Sequence, residues 1–363
     1  MNLTEIEEIK RKMEFNKTES EIITKLVNTA NIKGAKFEKE NKKIYKTAKR
    51  FLEEIDDKEK IIFSEEDIEK TDFSNCRAVG IDGSLFPIGG VGGKWYIPYA
   101  IVRILYENGI HEQPIVDIYD SNIDELDEKD YNNIKTEASH RMLLRETTAL
   151  EDWVNKKKKS IIFIDGPVID PPSWKANDYV KNRCNVLKKG IANSLIIGCV
   201  KQSRDQFFIR EFENIPNLKV KLDNFPSDQH LFAYLFSLYR EAGHDGFLFS
   251  KAIFPKDSTF DFYKKHGVTV FSFFFQKRID SKILRLDIPL TDDKIENSDI
   301  ICKKAAMAAS DWQYPQQYIP VPVELAHQKC TINEGTAEVL YDEIITRAHN
   351  SSVNNQLIIN QLR

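Results

Sequence analysis

Two apolar runs in this chain end on the same pair of residues: AVGIDGSL reaches Asp82-Gly83, and IIFIDGPV reaches Asp165-Gly166. Such a run reads as a buried strand. A carboxylate at its C-terminal end, followed by a glycine that lets the chain turn, faces the end of an α/β sheet where ligands bind. Two such aspartates on neighbouring strands offer hard oxygen ligands to a divalent cation, suited to Mg2+ or Mn2+. Either alone is more often a plain Asp-Gly turn, so the weight rests on the pair. A third carboxylate precedes Asp165. In HRMLLRETTALEDWV the apolar face of a helix runs through Leu143, Leu150 and Trp153, with Met142 and Val154 beside it. Glu146 falls on that stripe, whereas Glu151 and Asp152 lie towards the polar side. A carboxylate on a core-facing stripe is costly unless a cation or hydrogen-bond donors pair it. Metal ligation would serve, and so would an arginine such as Arg141 or Arg145.

Basic groups stand close by in sequence. GCVKQSRD places Lys201 and Arg204 just beyond another strand end, where they can meet phosphates. The run KKKK at 156–159 precedes the Asp165 strand, at the opposite edge of the sheet, and reads as a solvated turn. Among seven histidines there is no HExxH or HxH, which argues against a zinc hydrolase. His327, in VPVELAHQKC, is on pattern alone more often a surface or packing residue. GxSxG is absent, and the loop carrying Gly83, Gly89, Gly90, Gly92 and Gly93 lacks the Lys-Ser/Thr of a phosphate-binding P-loop. Five scattered cysteines, never paired as CxxC, argue against a disulfide framework and a structural zinc site and read as reduced, mostly buried thiols.

The elements that must position these groups follow from periodicity. The first ~60 residues read as helical: Thr4 and Glu7 fit a capping box, and Phe37, Tyr45, Ala48, Phe51 and Leu52 share one face. The expected division is a helical N-terminal arm over 1–70, for docking or dimerisation, and a catalytic domain over 71–363. Strands follow in CRAVGIDGSLF, KWYIPYAIVRILYENG and QPIVDIYD, then a helix from about 130 to 155 and the strand SIIFIDGPVI. A helix around 176–188, the strand SLIIGCV and a short helix come next. GFLFSKAIF, a helix near 259–266, VTVFSFFFQ and KILRLDIP carry the pattern on, and helices around 293–309 and 332–348 close it. Thr331 with Glu334 forms a second capping box. Adjacent strands first, alternating strands and helices afterwards, predict an α/β fold with a mixed sheet flanked by helices.

The 363 residues carry a net charge of −4, with 41% hydrophobic and 30% charged residues, an ordinary globular balance. That weakens a stoichiometric nucleic-acid coat, which usually carries a basic domain, but not an enzyme that meets DNA locally. No apolar run approaches the ~20 residues of a membrane span, and the polar N-terminus lacks a secretory signal, so a cytoplasmic protein is expected.

The ordered set of pieces resembles the NurA nuclease family. It comprises GIDGS at Asp82, a helix of the R…E…L kind (Arg141, Glu146, Leu150), IDGP at Asp165, and VKQS at Lys201. RLDIP (Arg285 to Pro289) and a P…L-A-H helix start (Pro322 to His327) complete it, so that the likeness spans roughly 75–345. Asp287 stands where the pattern has glutamate. The resemblance implies an RNase H-like core and a DNA nuclease, typically Mn2+-dependent, with 5′ to 3′ exonuclease and single-strand endonuclease activity. It also implies a homodimer docked on a hexameric HerA-type ATPase that drives DNA towards it, in end processing or defence against foreign DNA. Carried over by position, Asp82, Glu146, Asp165 and His327 become the metal-site candidates, with Lys201 and Tyr318 in support. Two rivals remain: a catalytically inactive adaptor that regulates such an ATPase, and a phosphohydrolase with Asp82 as nucleophile. The latter chemistry usually wants a second aspartate two residues on, where Ser84 stands.

Overall fold

The computed structural model describes residues 20–56, 58–89, 94–127, 131–169, 177–314, 317 and 319–349. Tyr318, the Thr4/Glu7 capping box and Gly90, Gly92 and Gly93 lie outside them. Strands β1 (Ile62–Ser64), β2 (Ala78–Leu85), β3 (Ile88–Gly89), β4 (Lys94–Tyr106), β5 (Ile115–Asp127), β6 (Ile161–Asp165), β7 (Leu195–Val200), β8 (Leu248–Ser250), β9 (Thr269–Gln276) and β10 (Leu284–Leu290) form one sheet. Its order is β1-β8-β9-β10-β7-β6-β2-β4-β3, with β5 paired to β4. Within it, β2, β4 and β5 form an antiparallel meander, while β6 and then β7 continue parallel on the other side of β2. This mixed core β5-β4-β2-β6-β7 is the strand arrangement of an RNase H-like fold. β10, β9, β8 and β1 extend it antiparallel.

Strict alternation along β2 and β6 assigns each residue to one of two buried layers. Ala78, Ile161 and Phe163 join a cluster under helices α7 (Ser298–Asp311) and α8 (Val321–Cys330). Val79, Ile81, Ile162 and Ile164 join the other, under α2 (Tyr131–Asn155), α3 (Asn177–Ile191) and α6 (Ser258–Lys265). A third cluster sits beyond β8 and β9. Helices α4 (Phe207–Glu213) and α5 (Asp228–Glu241) pack there against the C-terminal half of the 37-residue helix α1 (Ser20–Asp56), through Ala48, Phe51 and Ile55. Phe37, expected on the same face, is instead 64% exposed, because the N-terminal half of α1 runs past the body without a partner surface among the described residues.

Three local expectations are corrected. GFLFSKAIF forms a strand only over Leu248–Ser250, its remainder touching the sheet through a single bridge from Ile253 to Ser272. Helix α5 is an addition to the expected elements, although Leu231, Phe232, Leu235 and Phe236 recur at helical spacing and are all buried. The last helix, α9 (Glu334–His349), is capped by Asn333, whose side-chain oxygen accepts from the Thr336 N–H at 2.8 Å; the Thr331 hydroxyl bonds back to the His327 carbonyl. The run 156–159 is an exposed turn, as expected. All five cysteines are free, four of them buried. Among the described residues, no helix is long and apolar enough to cross a membrane.

Candidate metal centre and active site

Register and alternation bring the two aspartates together. Strands β2 and β6 pair in parallel from Ala78↔Ile161 to Ile81↔Ile164, so the same register sets Asp82 level with Asp165. By alternation both carboxylates point to the face covered by α8. Adjacent strands lie about 4.8 Å apart, close enough for two carboxylates to share a cation. Helix α8 crosses above, and His327 near its end lowers Nδ1 to 2.9 Å from Asp82 Oδ2 and 3.3 Å from Asp165 Oδ2. Ligand atoms of Asp82, Asp165 and His327 all lie within 4.8 Å of one another. Burial grades across the trio: Asp82 is buried, Asp165 intermediate and His327 exposed, so the site opens to solvent on the histidine side.

The two glycines that follow the aspartates do different work. Gly166 turns the chain with φ of +90°, as expected of an Asp-Gly strand end. Gly83 does not turn; β2 continues through it to Leu85. It is small because the other face needs the space. A Cβ at Gly83 would stand 2.6 Å from Glu146 Oε1 of α2, so the missing side chain lets a carboxylate approach β2 from the opposite side of the sheet. Glu146 is thus 6% exposed and packed against the residue next to Asp82, yet outside the trio. The arginines considered for it are engaged elsewhere: Arg145 pairs with Asp124 and Asp120, and Arg141 with Glu137 and Asp124. Asp152, read as polar-facing, pairs with the buried Arg103 of β4.

Lys201, just past β7, places Nζ 2.7 Å from Asp165 Oδ2. Arg204 does not join the group; it lies in a neighbouring cleft. One residue at the site escapes the sequence reading. The Cys330 thiol donates to Asp82 Oδ2 at 3.3 Å and is buried. Burial and the nearby carboxylates of Asp82, Glu146 and Asp165 push its pKa up, which keeps it a donor. The i, i+3 spacing from His327 on α8 is the available signal.

Burial, and then the charge of Asp165, raise the pKa of Asp82 to about 6, with His327 and Cys330 opposing the shift. Two carboxylates held this close in a dry setting repel unless a proton or a cation is shared between them. The donor set of two carboxylates and one imidazole suits Mn2+, Mg2+ or Zn2+. The residues present therefore fit a divalent cation.

The sequence matches the NurA domain over residues 76–332. The chain belongs to the NurA family. The NurA nuclease of Sulfolobus solfataricus is similar in structure, with a TM-score of 0.58 at 15% identity, covering 93% of this chain and 99% of that one. A NurA crystal structure with manganese aligns over 80% of this chain and 92% of its own, at 10% identity and a TM-score of 0.44. No curated protein matches the sequence. Membership of the NurA family, together with the shared RNase H-like fold, supports a nuclease role for this chain.

Proposed function

We propose that this chain is a divalent-metal-dependent DNA nuclease that hydrolyses phosphodiester bonds, with Asp82, Asp165, Glu146 and His327 as its metal and catalytic residues. The observation that carries it is the convergence of Asp82, Asp165 and His327 at one sheet end. Mn2+ or Mg2+ is the expected ion. Such an ion, when bound, lowers the pKa of a water ligand and neutralises charge gathering on the phosphate and the leaving oxygen. Asp82 and Asp165 would hold it. Glu146, behind Gly83, would accept a hydrogen bond from a water of the same site. His327, half in solvent, would orient the attacking water, and Lys201 would swing from Asp165 to steady the scissile phosphate.

The finer assignments come from the family resemblance. We propose 5′ to 3′ exonuclease and single-strand endonuclease activity, a homodimer, and a cytoplasmic assembly with a HerA-type hexameric ATPase that supplies processive grip on DNA. DNA end processing and defence against foreign DNA both fit that pairing. Residues 1–70 are proposed as the docking arm and 71–363 as the nuclease domain. A catalytically inactive adaptor would have no use for the trio, so retention of all three ligands favours the enzyme. The test is incubation of end-labelled single- and double-stranded DNA with Mn2+, Mg2+ or EDTA, with and without the ATPase and ATP. Cutting in either metal and none in EDTA is expected; folded protein that binds the ATPase yet never cuts would establish the adaptor instead.

A further inference from the structure

At the same end of the sheet as the trio, on the side where α6 packs, lies a cleft of about 710 Å3, a volume typical of sites for small ligands. It begins at Pro167, two residues past Asp165, and at Gln202, the residue after Lys201. Phe207, the first residue of α4, lines it half-buried, braced edge-on by Phe260 of α6 at 5.4 Å and 77°. Arg204 and Arg210 stand exposed in its lining. Among the described residues, neither guanidinium has an ion-pair or hydrogen-bond partner, whereas the other arginine of the cleft, Arg285, is bound by Asp287 and Asp205. The wall also contains the Thr259 hydroxyl, which is buried and has no hydrogen-bond partner among the described residues. The acid at Asp205 is taken up by Arg285 and Ser203, and that of Asp257 caps α6 through the Thr259 N–H. The cationic charge left over in the cleft is therefore that of Arg204 and Arg210.

An aromatic ring, two guanidinium groups without partners among the described residues and the Thr259 hydroxyl, in a cleft whose lining begins one or two residues from Asp165 and Lys201, match the parts of a single nucleotide. A base stacks on aromatic side chains, phosphates pair with arginines, and base edges seek hydrogen bonds. A base inside a duplex is already stacked on both faces and would have to leave the stack to meet Phe207. We propose that this cleft holds one unpaired nucleotide of the DNA strand beside the metal centre, its base on Phe207 and its flanking phosphates on Arg204 and Arg210. The proposal rests on the nuclease reading above and adds to it a subsite that favours unpaired DNA.

The test measures binding rather than cleavage, with the full chain in EDTA. Fluorescein-labelled oligo-dT and a blunt hairpin duplex are titrated with wild type, Phe207→Leu, Arg210→Gln and Thr259→Val. Phe207→Leu and Arg210→Gln should each weaken oligo-dT binding about tenfold and leave the hairpin within about twofold. Arg210→Gln should also lower the salt slope for oligo-dT by about one. Thr259→Val keeps the shape and should weaken oligo-dT by a few-fold only. Because Arg210 is exposed, its variant stays folded even where Phe207→Leu does not. Unchanged oligo-dT affinity in Arg210→Gln and in any folded Phe207→Leu overturns the proposal, as does an equal loss on both DNAs. A wild type that cuts DNA but shows neither effect removes the subsite alone. A wild type that never cuts yet binds oligo-dT through Phe207 and Arg210 retains the subsite and removes the nuclease.

Discussion

Gly80 offers a way to move His327 without substituting any of the proposed metal ligands. It lies on β2, two residues before Asp82 and on the same face, under the first turn of α8. A Cβ built there would stand 2.2 Å from the carbonyl carbon and oxygen of Pro322 and 2.6 Å from the Val323 nitrogen, whereas ordinary contact begins near 3.4 Å. The atoms in the way are backbone, so no side chain can swing aside. Gly80 is not among the glycines with positive φ, so alanine brings no backbone strain of its own and the whole effect comes from close approach. In Gly80→Ala the start of α8 must lift by roughly an ångström, and His327, five residues on from Pro322, moves away from Asp82. Overpacking of this kind costs about 1–3 kcal/mol of stability. An ångström of misplacement at a catalytic group costs about 100-fold in rate. The assay pairs the DNA cleavage rate in Mn2+ with Mn2+ affinity by electron paramagnetic resonance, on protein shown to be folded by its melting curve. Gly34→Ala, on the exposed stretch of α1 with nothing within 4 Å, is the control and should gain up to about 1 kcal/mol from helix propensity with unchanged cleavage. A Gly80→Ala variant that cuts within twofold of wild type and binds Mn2+ equally well would refute the role given to α8.

Other expectations follow from the charges. Asp82 has its pKa raised from 3.8 to about 6, so the metal-free folded state holds its proton more tightly than the unfolded chain. The associated stability is fully present below pH 3.8 and is lost as pH rises through about 6. Asp82→Asn should therefore stabilise the metal-free protein at pH 8 by up to about 3 kcal/mol, a few degrees in Tm, with the gain vanishing near pH 4; a gain that grows towards acid pH contradicts it. The same variant should lose the stabilisation that Mn2+ gives wild type, which is about 2.7 kcal/mol at a hundredfold excess over Kd. Lys201→Met frees Asp165 from its ammonium partner, so Mn2+ should bind several-fold tighter in calorimetry while cleavage slows about tenfold or more. Asp287, fully buried and bonded by Arg285 and the Ser272 hydroxyl, is structural; Asp287→Ala leaves a buried guanidinium with its main partner gone and should cost about 3–5 kcal/mol in urea unfolding.

Short-range patterns in the sequence are sufficient for some of the site. An apolar run ending in Asp-Gly is a local signal, and both Asp82 and Asp165 lie where such runs predict. Glu146 on the apolar stripe of α2 is legible because a helix repeats every 3.6 residues, and it is buried. His327 is not legible in this way. It meets Asp82 across 245 positions of chain, a pairing set by where α8 crosses the sheet, and only the family resemblance singles it out. Cys330 depends on the same long-range contact and stays hidden in the sequence. Gly83 reads as a turn because Asp-Gly usually is one; its actual role is steric and depends on α2 arriving on the far side of β2. The N-cap of α9 lies two residues from its expected place because Thr331-x-x-Glu334 fits a capping box as well as Asn333 fits a cap, and the Thr331 hydroxyl is spent on α8. Helix α5 has regular apolar spacing, and without it the packing partner of α1 cannot be foreseen. Arg204 shows the limit of reading a strand end: it lies close to Lys201 in sequence, yet the turn after β7 carries it into the adjoining cleft.

The most direct measurement of the metal centre is anomalous diffraction from crystals soaked in Mn2+, collected at a wavelength where manganese scatters anomalously. One peak bonded to Asp82 and Asp165, with His327 within ligand distance and the peak gone in Asp165→Ala, is the predicted result. Full Mn2+-dependent cleavage in the same crystals' protein with no peak at that sheet end, or with the peak among other residues, would contradict the assignment.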